Sequence, residues 1–122
     1  MSLLCLALLS MKGQALKGHL DMLVLAVLAE GPRHGYAVIE GLRERSDDAF
    51  DLPEGTVYPV LRRLDEAGYL SGEWSEVGGR RRRTYRITPS GRAALMEQRS
   101  MWEEFSSAVG AVLRGVSWPT TT

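Results

Sequence analysis

Cysteine, histidine and lysine are all scarce in this chain, and each scarcity excludes something. The single cysteine, Cys5, has no internal partner for a disulfide and no basic neighbour to tune it as a redox sensor. Two histidines among 122 residues rule out a Cys/His zinc cage, so no metal is expected. With no disulfide to maintain, a reducing, cytoplasmic setting is expected. No membrane partner is expected either. A span needs roughly 20 apolar residues, whereas Leu3–Leu9 is short, has no Lys or Arg before it and lacks a small-residue cleavage site. Paired carboxylates in a glycine-rich cleft, a phosphate-binding loop and a nucleophile elbow are missing too, which argues against an enzyme and against a cofactor. Neither charge dominates, since 15 basic and 15 acidic side chains cancel. Only the placement of charge can speak about partners.

What is present suits one ordinary soluble domain, with 44% hydrophobic and 25% charged residues. The charge is unevenly placed. Residues 1–52 carry five basic and seven acidic side chains, residues 53–92 eight and five, and residues 93–122 two and three. Between Arg80 and Arg92 lie six arginines and no acid. Arginine outnumbers lysine 13 to 2 throughout, so the choice of arginine is a composition bias and only its clustering is informative. Such a block reads either as a solvated face or as the footprint of a phosphate-backbone binder. Its position in the fold decides between them.

Leu20–Ala29 is apolar on nearly every side except at Asp21, the pattern of a helix in the middle of a core, and Gly31-Pro32 stops it. A second helix is expected from about Gly35 to Ser46, with Val38, Ile39 and Leu42 inward and Glu40, Arg43 and Glu44 outward. His34 reads as its cap, and Phe50 and Leu52 should pack back on the core. A third helix lies within Pro53–Gly68 and starts near Gly55, which puts Pro59 in its first turn. At about 100° per residue, Val57, Val60, Leu61, Leu64 and Ala67 share one side. Tyr58, Pro59, Arg62 and Glu66 share the other, with Thr56 and Arg63 at its edges. A hydroxyl, a phenol and two guanidiniums near a helix N-terminus suit nucleic acid. Phosphate oxygens accept from Tyr and from helix N–H groups, and Arg reaches guanine O6 and N7 in the major groove.

Leu70–Ser75 and Arg83–Thr88 read as strands, with Trp74, Tyr85 and Ile87 on the inner side of a small sheet. Gly78-Gly79 supplies the bend, so the arginine block occupies the hairpin tip and the strand leaving it. Three helices followed by a basic-tipped hairpin is the order of a winged helix-turn-helix, a mainly α fold with a small β part (α+β). Thr88-Pro89 then opens a last helix reaching about Leu113 or Val116. Along it Leu95, Trp102, Phe105, Val109, Val112 and Val116 recur at spacings of three and four, broken at Gln98. A helix of about 40 Å outruns its own small body. Its stripe therefore either meets a second copy about a two-fold axis or folds back on its own core. His19 is placed to anchor the first helix against it.

The segments LKGHLDMLVLAVLAEGPRHGY, LPEGTVYPVLRRLDEAGYL and GGRRRRTYRITPSGRAAL, spanning Leu16 to Leu95, resemble the PadR family of transcriptional regulators. The single helix after the wing resembles the shorter PadR subfamily. The resemblance implies a homodimeric winged helix-turn-helix repressor that binds double-stranded DNA at an inverted-repeat operator. It also implies relief by a small, often aromatic compound or another signal, and dimerisation through the last helix together with the N-terminal helix. Matched by position, Tyr36, Thr56, Tyr58, Arg62 and Arg63 would contact DNA from the recognition unit, and Gly79, Arg80, Arg81 and Arg82 from the wing. Leu95, Trp102, Phe105, Val109 and Val112 would form the dimer seam. Trp102 stands where some family members place an aromatic that stacks on a planar ligand, although an aromatic at heptad spacing is more often simply seam packing.

The implied division is an extension at 1–15, a DNA-binding unit at 16–88, a dimerisation helix at 89–116 and a tail at 117–122. The extension and the tail have no counterpart in the short pattern. Met11 opens a more ordinary segment, so residues 1–10 read as an upstream-start artefact, a short extra helix or a flexible tail. The competing reading of the whole is a winged-helix interaction module whose arginine wing meets an acidic protein partner.

Overall fold

The computed structural model describes residue 16 and residues 18–117. Residues 1–15 and 118–122, with the apolar run at Leu3–Leu9 and Trp118-Pro119, lie outside the described residues. Among the described residues four helices and three strands follow in the order α1 (Leu20–Leu28), β1 (Arg33–His34), α2 (Gly35–Arg45), α3 (Glu54–Glu66), β2 (Leu70–Val77), β3 (Arg80–Ile87) and α4 (Pro89–Arg114). The strands form one antiparallel sheet in the order β1-β3-β2. This is the expected α+β architecture, three helices and then a hairpin and a long helix.

α1 is central because it has no polar face to give to water: Leu20, Val24, Leu25, Val27 and Leu28 are all buried. Val38, Ile39 and Leu42 of α2, and Val57, Val60, Leu61 and Leu64 of α3, close around it. Leu70 and Ile87 add the root of the hairpin, and Leu52 packs against the same cluster. His34 caps α2 as expected, its Nδ1 accepting from the Ala37 N–H at 3.4 Å. Ser46 ends that helix by donating to the Leu42 carbonyl at 2.7 Å while accepting from the Phe50 N–H at 2.9 Å.

Several expectations need correction. α3 begins at Glu54 with Pro53 as its cap, so Pro59 sits in the second turn, where its ring offers no N–H to the Gly55 carbonyl. Ala67 is an exposed C-cap and not part of the buried side. Both wing strands are longer than the sequence pattern indicates. Gly78 and Gly79, at φ +59° and +78°, form a two-residue turn, so Arg80 already pairs with Val77 and the arginine block lies in a ladder. β1 was not expected at all: two residues are too few to show a pattern, and they pair with Tyr85 and Thr84 of β3. Trp74 does share a sheet face with Tyr85 and Ile87, but it is 58% exposed, because the ribbon has by then outrun the core. Leu95, expected in the dimer seam, packs on its own domain with Ala94.

The start of α4 is riveted to the α3–β2 turn. Thr88 Oγ1 accepts from the Gly91 N–H at 3.1 Å and donates to the Gly68 carbonyl at 2.7 Å, while Ser90 Oγ donates to that carbonyl at 2.9 Å. The approach is so close that a Cβ on Gly91 would overlap the Tyr69 carbonyl oxygen and crowd Ile87. Gly91→Ala is therefore expected to destabilise the fold by about 1–3 kcal/mol, the usual cost of overpacking. Urea unfolding measures this, and an unchanged midpoint would contradict the packing.

Candidate nucleic-acid interface

The outward row of α3 and the inner edge of the wing meet across an open concavity of about 920 Å³. Tyr58 and Arg62, one helical turn apart, supply the α3 wall; Tyr36 comes from the first turn of α2; Arg81 and Arg82 come from β3. The helix and the wing thus bring five residues singled out from sequence to one place. Gly35 permits this closeness, since a Cβ there would fall 2.8 Å from Tyr58 Cε1. Burial against that turn raises the Tyr58 phenol above its ordinary pKa, and the Glu54 carboxylate, Tyr85 and Tyr36 push the same way. Tyr58 therefore stays a neutral hydroxyl, able to donate to a phosphate oxygen.

The other sequence candidates lie elsewhere. Thr56 is half-buried and outside the lining, and Gly79 and Arg80 sit at the outer end of the wing. Arg63 points away from the concavity and is ion-paired with Asp21 of α1. Expected among the DNA contacts, it is bonded to the α1 carboxylate with its side chain 59% exposed.

Two residues that sequence reasoning did not assign to the site complete it. Arg83 leaves the basic row to bond Asp65 of α3, Nη2 to Oδ2 at 2.6 Å, and that hydrogen bond pushes its pKa still higher. Trp74 stands beside it, with the Arg81 guanidinium carbon 4.9 Å and that of Arg83 5.4 Å from its ring. A signal for the first was present in the opposite charges of Asp65 and Arg83, but a separation of 18 residues across a turn hides the pairing. The walls also carry Glu40, Glu54 and Glu66, so the positive charge of the concavity lies on the wing side and at Arg62.

On the far surface, α4 exposes Met101, Trp102, Phe105, Val109 and Val112, and Val116 just beyond its end is exposed as well. Trp102 meets His19 edge-on at 4.8 Å and Phe105 at 6.3 Å, so His19 does tie the beginning of the domain to α4. A second groove of about 430 Å³ runs there between Met22, Met101, Trp102 and Phe105. Among the described residues no group of His, Cys, Asp and Glu could hold a metal ion, and no helix is long and apolar enough to cross a membrane.

Known proteins share this fold. The sequence profile of the "Transcriptional regulator PadR-like family" matches residues 24–97. A PadR family transcriptional regulator from Eggerthella lenta is 34% identical, with a TM-score of 0.76 over 88% of this chain and 92% of that one. A PadR-like transcriptional regulator from Bacillus cereus is 28% identical, with a TM-score of 0.73 over 84% of this chain and 99% of that one. A transcriptional regulator of Mycobacterium tuberculosis is 46% identical over 67 residues, 55% of this chain and 63% of that protein. With a profile match over more than half its length and a winged-helix fold in common, the chain belongs to the PadR-like family of transcriptional regulators, and is a DNA-binding regulator and not an enzyme.

Proposed function

We propose that the protein is a homodimeric repressor that holds an inverted-repeat operator and releases it when a small planar compound or another signal is sensed. In this reading residues 16–88 are the DNA-binding unit, α3 enters the major groove, and β2–β3 reaches the neighbouring backbone or minor groove. The observation that carries it is the single concavity shared by Tyr36, Tyr58 and Arg62 with Arg81 and Arg82 of the wing. Thr56, Arg80 and the Gly79 backbone extend the contact at its two ends. Such a protein works where the DNA is, in the cytoplasm.

The dimer reading rests on length. α4 has 26 residues, about 39 Å at 1.5 Å each. Its first two turns pack on the body through Gly91, Ala94 and Leu95, and Trp102 makes a further contact with His19. Beyond that contact the apolar stripe of Phe105, Val109 and Val112 is exposed, which supports a two-fold pair that covers it. The groove at Trp102, half exposed and flanked by Met22 and Met101, is where a planar effector would stack, at the junction of that pair with the DNA-binding unit.

Three measurements test these parts separately. Replacing Arg80, Arg81 and Arg82 by Ala should weaken binding to every duplex and reduce the slope of log affinity against log salt by about 0.9 for each phosphate no longer neutralised. An unchanged slope, with an acidic protein retained after nuclease treatment, would instead favour the wing as a protein contact. Arg62→Ala should cost roughly 1–3 kcal/mol on the operator and relax base preference at one position per half-site, read by competition against base-substituted duplexes. Val109→Asp together with Phe105→Glu should turn a dimer into a monomer in sedimentation. A wild type that already sediments as a monomer would end the two-fold reading.

A further inference from the structure

Of the four carboxylates that line the concavity, one is bonded directly to the wing, although phosphate should repel it. Asp65 sits on α3 three residues after Arg62, and its two oxygens reach both strands of the wing. Oδ2 accepts from Arg83 Nη2 of β3 at 2.6 Å, and Oδ1 accepts from the Gly72 N–H of β2 at 3.4 Å. The space is made for it: a Cβ on Gly72 would fall 2.6 Å from Asp65 Oδ2 and 2.5 Å from Arg83 Nε. The pair is only partly solvated, with side-chain exposures of 22% for Asp65 and 31% for Arg83. From Arg83 the connection continues through the Trp74 ring to Arg81, so a chain of contacts runs from the groove-reading helix to a basic side chain of the wing.

Beyond its root the hairpin has little else to hold it. β1 supports β3 only at Thr84 and Tyr85, Arg82 reaches the His34 ring at 3.4 Å, and apart from the partly buried Arg83 the wing residues outside them are exposed. A two-stranded ribbon anchored at one end swings unless something fixes its angle. We infer that Asp65 is a positioning residue for DNA binding, setting the wing at a fixed angle to α3 through Arg83 and the Gly72 backbone, and carrying Arg81 on Trp74 in register with Arg62. The inference rests on the DNA-binding reading of the concavity.

The sign of one substitution separates this from electrostatics. Asp65→Asn removes a negative charge from a surface that faces phosphate and leaves every arginine in place, so charge alone makes DNA binding tighter. Loss of the tether makes it weaker, by about tenfold, the scale of one well-placed contact. The second readout needs no DNA. Spin labels at Val77→Cys on the wing and Glu44→Cys on α2, in a Cys5→Ser background diluted with unlabelled protein, report the wing angle within one chain.

A narrow distance distribution is expected in the parent and a broad one in D65N, with weaker binding at a temperature where D65N is fully folded. Should D65N not fold, Arg83→Gln must broaden the distances and Arg83→Lys, which keeps the pair, must restore them. Affinity that is unchanged or tighter in D65N, or a distribution that stays narrow, overturns the inference. Broadening in a protein whose parent binds no DNA would sink the DNA reading and leave the tether standing.

Discussion

The wing and the recognition helix face the same way because the root of the hairpin is sunk in the helical core. Leu70 and Ile87, paired across β2 and β3, are buried with Leu61 and Leu64 of α3. Taking either strand away would expose apolar surface already closed over α1, so the ribbon has to leave the body beside α3. The tight turn Ala67-Gly68-Tyr69 sets the direction further, since the Tyr69 N–H bonds the Leu64 carbonyl at 2.9 Å and Gly68 takes a φ of +85°. Everything proposed about DNA depends on this root, which places Tyr58 and Arg62 opposite Arg81 and Arg82 before any partner is present.

The arginine block illustrates how a uniform run acquires separate tasks. In the ladder, neighbouring residues point to opposite faces of the ribbon. Arg81 and Arg83 fall on the Trp74 face, where one stacks on the ring and the other is neutralised by Asp65. Arg80 and Arg82 fall on the other face, and Arg82 approaches the ring of His34, which caps α2. The α4 stripe divides in a similar way. Leu95 is partly buried against the domain core, His19 and Trp102 form a joint between the start of the domain and α4, and the residues from Phe105 onward are largely open to solvent in the protomer.

Much of this was legible from periodicity. The 3.6-residue repeat of α3 separated Val57, Val60, Leu61 and Leu64 from Tyr58 and Arg62 correctly, because a helix face depends only on angle. The capping roles of His34 and Thr88 were local and came out as expected. The misses share a cause. Trp74 has the parity of Leu70 and Ile87, yet parity says which residues share a face and not how far the core extends beneath that face. Leu95 fits the α4 repeat, and a repeat does not say which surface each turn meets. Arg63 and Arg83 look alike in sequence to the arginines beside them, and only the carboxylates of Asp21 and Asp65 from other elements set them apart.

What the sequence determined by itself was therefore everything carried by short-range stereochemistry: where helices start and stop, which side chains share a face, and that a glycine pair turns a basic hairpin. What the tertiary structure alone decided was which charges are free. A guanidinium is committed or available according to whether a carboxylate distant along the chain has been brought within about 3 Å, the reach of a charge-assisted hydrogen bond. That is settled when Asp21 and Asp65 are carried to Arg63 and Arg83 by the packing of α1, α3 and the wing around one apolar centre.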